Sequence, residues 1–142
     1  MAELPEYERR DDIAILRVTN PPANALSRAV RTRLARALRS AIADPLVAGV
    51  VLAGSGGHFA SGADIMDGSE AAAGAGSEAV SLRDLCDLVE WSEKPVVAVL
   101  EGTVYGGGFE LGLAAHARVV VPGARFALPA VRIGLPPAAG GL

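Results

Sequence analysis

Short apolar runs alternate with segments of helical spacing along the chain. Residues 13–18 are apolar and rich in β-formers, residues 50–52 form a second apolar run, and residues 95–100 form a third that is too short for a buried helix. Residues 27–43 begin with a serine that can cap a helix and then place apolar side chains on one stripe, and residues 82–91 return to helical spacing. This alternation predicts an α/β protein with a largely parallel sheet.

The rest of the chain extends the pattern. A helix is predicted from about Gly107 to Ala117, followed by a short strand over residues 118–121. Residues 68–80 are small and of low complexity, which predicts a flexible loop. Residues 139–142 have the pattern of a helix start, so we expect the fold to continue beyond them.

Composition limits the size and the core of the molecule. The chain has 142 residues, of which 51% are hydrophobic and 20% charged, and this suffices for one globular domain over residues 1–142. Aromatic residues make up 4%, so the core must consist mainly of Val, Leu, Ile and Ala. We expect the aromatic residues Trp91 and Phe126 to lie in that core rather than to contact a cofactor.

Charge and cysteine content exclude several classes of protein. The net charge of -3 offers no basic face for nucleic acid. Cys86 is the single cysteine, so no intrachain disulfide forms and a reducing compartment is favoured. The sequence shows no signal peptide and no apolar run of the ~20 residues that span a bilayer. We therefore expect a soluble, cytoplasmic protein with no membrane or nucleic-acid partner.

Two of the buried strands run into loops of small residues, at residues 54–57 and 106–108. Backbone N–H groups can approach a ligand closely in such loops, and the N–H of Gly107 falls at a helix N-terminus, where negative charge is favoured. Two converging donors of this kind would form an oxyanion hole for a carbonyl oxygen. Glu110 lies one turn further along the helix and could act as a general base.

Each of these features also has an ordinary explanation. Glycine-rich turns are common after strands, and a glutamate in a first helical turn often only complements the helix dipole. Other site patterns fail: the chain has no complete dinucleotide-binding fingerprint, no P-loop and no Gly-x-Ser-x-Gly elbow. His58 and His116 lack metal-ligand spacing and are interpreted as ordinary polar residues. Residue chemistry alone therefore leaves the function open.

The order of four motifs resembles a known family. The motifs are Asn20-Pro-Pro-Ala-Asn-Ala-Leu-Ser27, His58-Phe-Ala-Ser-Gly-Ala-Asp-Ile65, Lys94-Pro-Val-Val-Ala-Val-Leu-Glu-Gly102 and Gly106-Gly-Gly-Phe-Glu-Leu-Gly-Leu113. Together they resemble the enoyl-CoA hydratase/isomerase (crotonase) family over roughly residues 10–142. The resemblance is closest to the N-terminal hydratase/isomerase segment of multifunctional fatty-acid β-oxidation enzymes.

The resemblance implies a fold, a partner and a site. The fold would be the ClpP/crotonase-like spiral of ββα turns, here without its usual C-terminal helical part. The chain would bind an acyl-CoA or enoyl-CoA thioester, assemble into homotrimers or hexamers, and need no metal or redox cofactor. The backbone N–H groups of Ala63 and Gly107 would form the oxyanion hole, and Glu110 would be the acid/base.

The family pattern also assigns the coenzyme A contacts, and at one catalytic position the chain departs from it. The residues implied to hold the adenine end are Ala60, Ala63, Asp64 and Ile65. The second catalytic glutamate of family hydratases is expected where Ala130 stands, and alanine cannot exchange a proton. If the domain ended at residue 142, apolar surface would also be left exposed unless a partner covered it.

Three hypotheses follow from these residues. The first is an enoyl-CoA hydratase/isomerase-type enzyme that polarises a thioester and retains Glu110. The second is a catalytically reduced binding or scaffold member of the family, motivated by Ala130. The third, a nucleotide-binding α/β domain unrelated to this family, predicts binding of free nucleotides without any preference for thioesters.

Overall fold

The computed structural model describes residues 7–62, 79–137 and 139–140 and shows a five-stranded sheet at the centre of the molecule. The sheet strands are β1 (Glu8–Arg10), β2 (Ile13–Val18), β3 (Gly49–Gly54), β4 (Val96–Leu100) and β6 (Ala117–Val120). They lie in the order β1-β2-β3-β4-β6, with β1 antiparallel to β2 and the other neighbours parallel. The predicted α/β class with largely parallel pairing is confirmed.

A second, smaller sheet is built from the segments that follow β3, β4 and β6, and these segments lie side by side in the same order as those three strands. Strand β5 (Thr103–Tyr105) pairs in parallel with β7 (Arg125–Ala127), and Ala60 forms a parallel bridge to Val104 on the other side. Each of β3, β4 and β6 is therefore followed by a short extended segment that joins this second layer. Helical segments come next: α2 (Leu82–Glu90), α3 (Gly107–Ala114) and a 3₁₀ helix (Pro129–Ile133). This succession is the predicted spiral of ββα turns.

The helices begin where their capping residues predict. Helix α1 spans Arg28–Ala43, and the Ser27 hydroxyl accepts a hydrogen bond from the N–H of Val30 at 3.3 Å. Helix α2 begins after Ser81, whose hydroxyl accepts from the N–H of Asp84 at 3.0 Å, while the Asp84 carboxylate accepts from the N–H of Ser81. Such reciprocal caps satisfy the first N–H groups of a helix. Of the loop predicted at residues 68–80, residues 68–78 lie outside the described residues.

One face of the central sheet packs against the helices to form the core. Side chains alternate along β2 and β4. Every second residue of each strand is buried, as Leu16 and Leu100 are, and the alternate residues are partly or fully exposed. From the helices, Leu38 of α1, Leu85 of α2 and Leu111 of α3 complete the same apolar cluster. The core is aliphatic, as the composition predicts, and it holds the three helices in fixed positions on the sheet.

Three expectations about the core and the helix ends are wrong. Helix α3 ends at Ala114, not near Ala117, because Ala115 is extended and the N–H of His116 donates to the carbonyl of Val96 at 3.0 Å. This bond starts the pairing of β6 with β4. Trp91, the C-cap of α2, is 80% exposed, and Phe126 is 40% exposed, with its ring centroid 5.3 Å from that of Phe109.

Large apolar side chains are exposed on β6, on the 3₁₀ helix and just after that helix. Each of the following is more than half exposed: Val119, Val120, Val131, Ile133 and Leu135. Strand β6 is exposed along its whole length and occupies one edge of the central sheet.

Lys94, in the third sequence motif, fastens α1 to the sheet. Its ammonium group donates to the carbonyl oxygens of Ala41 at 3.0 Å and Asp44 at 2.6 Å, at the C-terminal end of α1. Carbonyls at this end lack helical partners and favour a positive charge. The lysine of this motif therefore has a structural function.

We expect Lys94→Met to lower the free energy of unfolding by about 1–2 kcal/mol, because it removes two charge-assisted hydrogen bonds. Urea denaturation measures this change. Arg39→Met is the matched control, since Arg39 is exposed on the same helix and its replacement should change stability little. Equal stability of the Lys94 variant and the parent protein would show that the ammonium group does not stabilise α1.

Candidate active site

The triple glycine forms the start of α3. Gly106 is the N-cap and has φ 54° and ψ -126°, a conformation that residues with a side chain rarely adopt. Its N–H donates to the carbonyl of Ala127 at 2.8 Å, and its carbonyl accepts from the N–H of Glu110 at 3.1 Å. The N–H of Gly107 therefore lies at the first position of the helix, where N–H groups lack an acceptor within the helix.

The backbone of residues 60–62 contacts this helix start directly. A Cβ atom at Gly108 would lie less than 3.0 Å from the carbonyl carbon and oxygen of Ala60. A Cβ at Gly62 would lie 3.1 Å from the backbone nitrogen of Gly107. The backbone of residues 60–62 thus packs against the first turn of α3, with Gly62 beside the backbone nitrogen of Gly107.

Of the predicted coenzyme A and oxyanion residues, Ala60 and Gly107 lie within the described part of the chain. Gly107 is where the sequence predicts it. Ala63, Asp64 and Ile65 lie outside the described residues. Ala60 is fully buried, its N–H donates to Thr103 at 3.2 Å, and its carbonyl accepts from Tyr105 at 3.0 Å. The backbone of Ala60 is therefore tied to β5 and holds in place the segment that leads to residues 63–65.

Glu110 lies in the first turn of α3 and is buried, with 6% of its surface exposed. Its Oε1 atom accepts a hydrogen bond from the N–H of Ala139 at 2.8 Å. Burial of a carboxylate requires such partners, because an unpaired charge in the interior is costly. The predicted acid/base thus sits one turn from the Gly107 N–H, held by a contact that the sequence did not suggest.

A cleft of about 260 Å³ opens beside Glu110. Its walls come from α2, α3 and the last described segment: Cys86, Glu90, Glu110, Leu113, Ala114, Ala139 and Gly140. Burial, together with the negative charge of Glu110, raises the pKa of the Cys86 thiol to about 12. Cys86 therefore stays protonated near neutral pH and serves as an apolar wall rather than as a nucleophile.

Ala130 lies in the 3₁₀ helix, on a segment that is attached to α3 at two points. Before it, the carbonyl of Ala127 accepts from Gly106, and after it, the N–H of Ala139 donates to Glu110. The carbonyl of Ala130 itself accepts from the N–H of Leu135 at 3.1 Å. The methyl side chain of Ala130 offers no proton, and among the described residues those that line the cleft beside Glu110 do not include Ala130.

Asn24 is a positioning residue that the sequence did not reveal. It is buried, with φ 56°, and its side-chain NH₂ group donates to the carbonyls of Ser55 and His58, each at 2.8 Å. Its side-chain oxygen accepts from the N–H of Asn20 at 3.0 Å. The first motif therefore holds the loop that leads into residues 60–62. The available signal was the motif itself, which indicated a turn but not these partners.

Both histidines hydrogen-bond to backbone groups. His58 Nδ1 accepts from the N–H of Thr103 at 3.2 Å, and His116 Nδ1 accepts from the N–H of Val96 at 2.9 Å. These bonds agree with the interpretation of both as ordinary polar residues. Within residues 7–62, 79–137 and 139–140, no group of three or more His, Cys, Asp or Glu side chains is placed to hold a metal ion. The same part of the chain contains no helix long and apolar enough to cross a bilayer.

Sequence comparisons link the chain to one family. A family model described as enoyl-CoA hydratase/isomerase matches residues 8–142. The peroxisomal bifunctional enzyme of Danio rerio is 45% identical over 129 residues, which cover 91% of this chain and 17% of that protein. The glyoxysomal fatty acid beta-oxidation multifunctional protein MFP-a of Brassica napus is 37% identical over 135 residues, covering 92% of this chain and 19% of that protein.

Solved structures show the same fold. An enoyl-CoA hydratase/isomerase family protein from Hyphomonas neptunium aligns with a TM-score of 0.82 and 33% identity, covering 97% of this chain and 55% of that one. An enoyl-CoA hydratase subunit from Geobacillus kaustophilus aligns with a TM-score of 0.82 and 28% identity, covering 94% of this chain and 52% of that one. The chain thus spans about half the length of these solved relatives and less than a fifth of the two curated ones.

Proposed function

Because the chain belongs to the enoyl-CoA hydratase/isomerase family, we propose that it binds acyl-CoA thioesters and stabilises a thioester enolate at the start of α3. The observation that carries this proposal is the packing of residues 60–62 against the Gly107 N–H, one helical turn from the buried carboxylate of Glu110. A thioester oxygen placed at this helix start would accept hydrogen bonds from the N–H groups of Gly107 and Ala63.

Such a site performs acid/base chemistry on the carbons next to the thioester. Negative charge that develops on the thioester oxygen is stabilised by the two N–H donors and by the N-terminal end of α3. In hydration, Glu110 would take a proton from the water that attacks the β-carbon, and would return that proton to the α-carbon of the enolate so formed. In isomerisation, it would take a proton from carbon and return it to another carbon. The proposed setting is fatty-acid β-oxidation or related acyl-CoA metabolism.

Coenzyme A would extend from this point along the segment that follows Ala60. Ala63, Asp64 and Ile65 are the proposed contacts for its adenine end. Ala60 would support these contacts because its backbone bonds to β5 hold the preceding segment in place. The cleft beside Glu110 is the proposed place for the start of the acyl chain, because it is lined by Cys86, Leu113 and Ala114. No metal or redox cofactor takes part in the proposed chemistry.

We also propose that the protein assembles as a homotrimer or hexamer. The apolar side chains exposed around β6 support this, because surfaces of this kind on soluble domains mark contact sites. The two curated relatives are named as peroxisomal and glyoxysomal. They therefore give no support to a cytoplasmic location, which stays a prediction.

A second candidate function rests on Ala130. With alanine at the position of the second catalytic glutamate, general acid–base help from that position, typically about 10²–10⁴-fold, is lost. The alternative is therefore a family member that binds thioesters without turning them over. It shares the oxyanion site with the first proposal and differs from it in activity.

Hydration of crotonyl-CoA, followed by loss of the enoyl absorbance, separates the two. We expect measurable turnover that falls about 10²–10⁴-fold in Glu110→Gln. Glu93→Gln is the control, since Glu93 is exposed and is not among the residues that line the cleft, and it should keep the parent rate. Thermal protection by crotonyl-CoA without turnover would favour the binding protein, and no shift in melting temperature at millimolar acyl-CoA would reject both.

A further inference from the structure

Arg31 differs from the other arginines of α1 in its burial. It is 5% exposed, whereas Arg33, Arg36 and Arg39 are exposed. A buried guanidinium group is costly unless it is fully hydrogen-bonded. The partners of Arg31 therefore indicate what its burial achieves.

The guanidinium group of Arg31 joins two segments that are far apart in sequence. It donates to the carbonyl of Leu26 at 2.7 Å and to the carbonyl of Val80 at 3.0 Å. Leu26 in turn donates its N–H to the carbonyl of Gly62 at 2.6 Å. The chain before residue 63 and the chain after residue 78 are thus both fixed to the start of α1.

Each of these two attachments leads to one side of the candidate site. Gly62 packs against the Gly107 nitrogen and immediately precedes the proposed oxyanion donor. Val80 immediately precedes Ser81, the cap of α2, and α2 supplies one wall of the cleft beside Glu110. A shift of Arg31 would therefore change the position of residues 60–62, called here the oxyanion segment, relative to the cleft.

We propose that Arg31 is a positioning residue, which sets the thioester site by holding the oxyanion segment and the start of α2 at a fixed separation. This inference rests on the proposed function, because the ligand it serves is the acyl-CoA thioester. Arginine suits the task because its rigid fork directs several N–H donors in one plane toward two carbonyls. A lysine ammonium has no such fork and would hold the two segments less firmly.

The test compares Arg31→Met and Arg31→Lys with Arg33→Met. Arg33 is the matched control, since it lies on the same helix but is exposed and donates to one carbonyl, that of Thr19 at 2.9 Å. Calorimetric titration gives the Kd for crotonyl-CoA, and amide hydrogen exchange of Leu26 reports its bond to Gly62. We expect Arg31→Met to weaken binding roughly tenfold or more, since bonds from a charged donor are lost.

Arg31→Lys should show an intermediate loss of affinity and faster exchange at Leu26, while Arg33→Met should match the parent in both. If Arg31→Met does not fold, Arg31→Lys carries the test. Parent affinity and parent exchange in the folded Arg31 variants would overturn the inference, as would a lower melting temperature with unchanged affinity. If the parent protein itself binds no crotonyl-CoA, the proposed function fails, and Leu26 exchange in the variants still shows whether Arg31 holds the two segments.

Discussion

Replacing Gly108 by alanine is expected to abolish thioester binding and to destabilise the protein by about 2–3 kcal/mol. A Cβ at this position would lie less than 3.0 Å from the backbone of Ala60, which cannot rotate away as a side chain can. The first turn of α3 and residues 60–62 must then separate, and the Gly107 N–H moves with the helix. Loss of one oxyanion donor typically costs about 10²–10³ in rate. Urea denaturation and crotonyl-CoA titration measure the two effects.

Gly112→Ala is the matched control for this substitution. Gly112 lies in the same helix, and its added Cβ would meet the tip of the Leu100 side chain at 2.9 Å, which is able to move. We expect this variant to keep the parent affinity for crotonyl-CoA. If both variants bind alike, the close approach of Ala60 to α3 does not shape a thioester site.

The second large effect is expected from Ala130→Glu. If the missing carboxylate limits hydration, supplying it should raise the rate with crotonyl-CoA by about 10²–10⁴-fold. Ala130 is suited to this test because its segment is attached to α3 at Gly106 and at Glu110. The rate is followed by the loss of enoyl absorbance, with thioester affinity measured in parallel.

Val131→Glu is the control for Ala130→Glu, since Val131 is the next residue and is 56% exposed. Val131→Glu adds the same negative charge at a position that has no predicted catalytic role, so the rate should stay unchanged. The gain should also disappear when Glu110→Gln is added to Ala130→Glu. An equal gain in the two single glutamate variants, or none in a folded Ala130→Glu protein that binds thioester, would refute the assignment of position 130.

The main elements of the fold could be predicted because their patterns are long or strongly apolar. Strand β2 and helix α1 have the predicted bounds, since their apolar spacing agrees with their capping and turn residues. Strands β1, β5 and β7 were missed because each has three residues with no distinct pattern, and pairing with distant neighbours defines them.

The candidate site could be predicted in its chemical groups but not in its supports. Gly107 and Glu110 belong to a motif whose helix start is visible in the sequence. Asn24 and Arg31 each bond to a carbonyl more than thirty positions away, Asn24 to that of Ser55 and Arg31 to that of Val80. A carbonyl is present at every residue, so the sequence holds no signal that selects these partners.

The start of α3 is proposed to bind the carbonyl oxygen of a coenzyme A thioester. Calorimetric titration of the protein with butyryl-CoA and with S-butyl-CoA tests it most directly, because the thioether has the same chain and coenzyme but no carbonyl oxygen. Two hydrogen bonds to that oxygen, each contributing about 0.5–1.5 kcal/mol, predict roughly five- to hundredfold tighter binding of the thioester. Equal affinity for the two compounds would contradict the account.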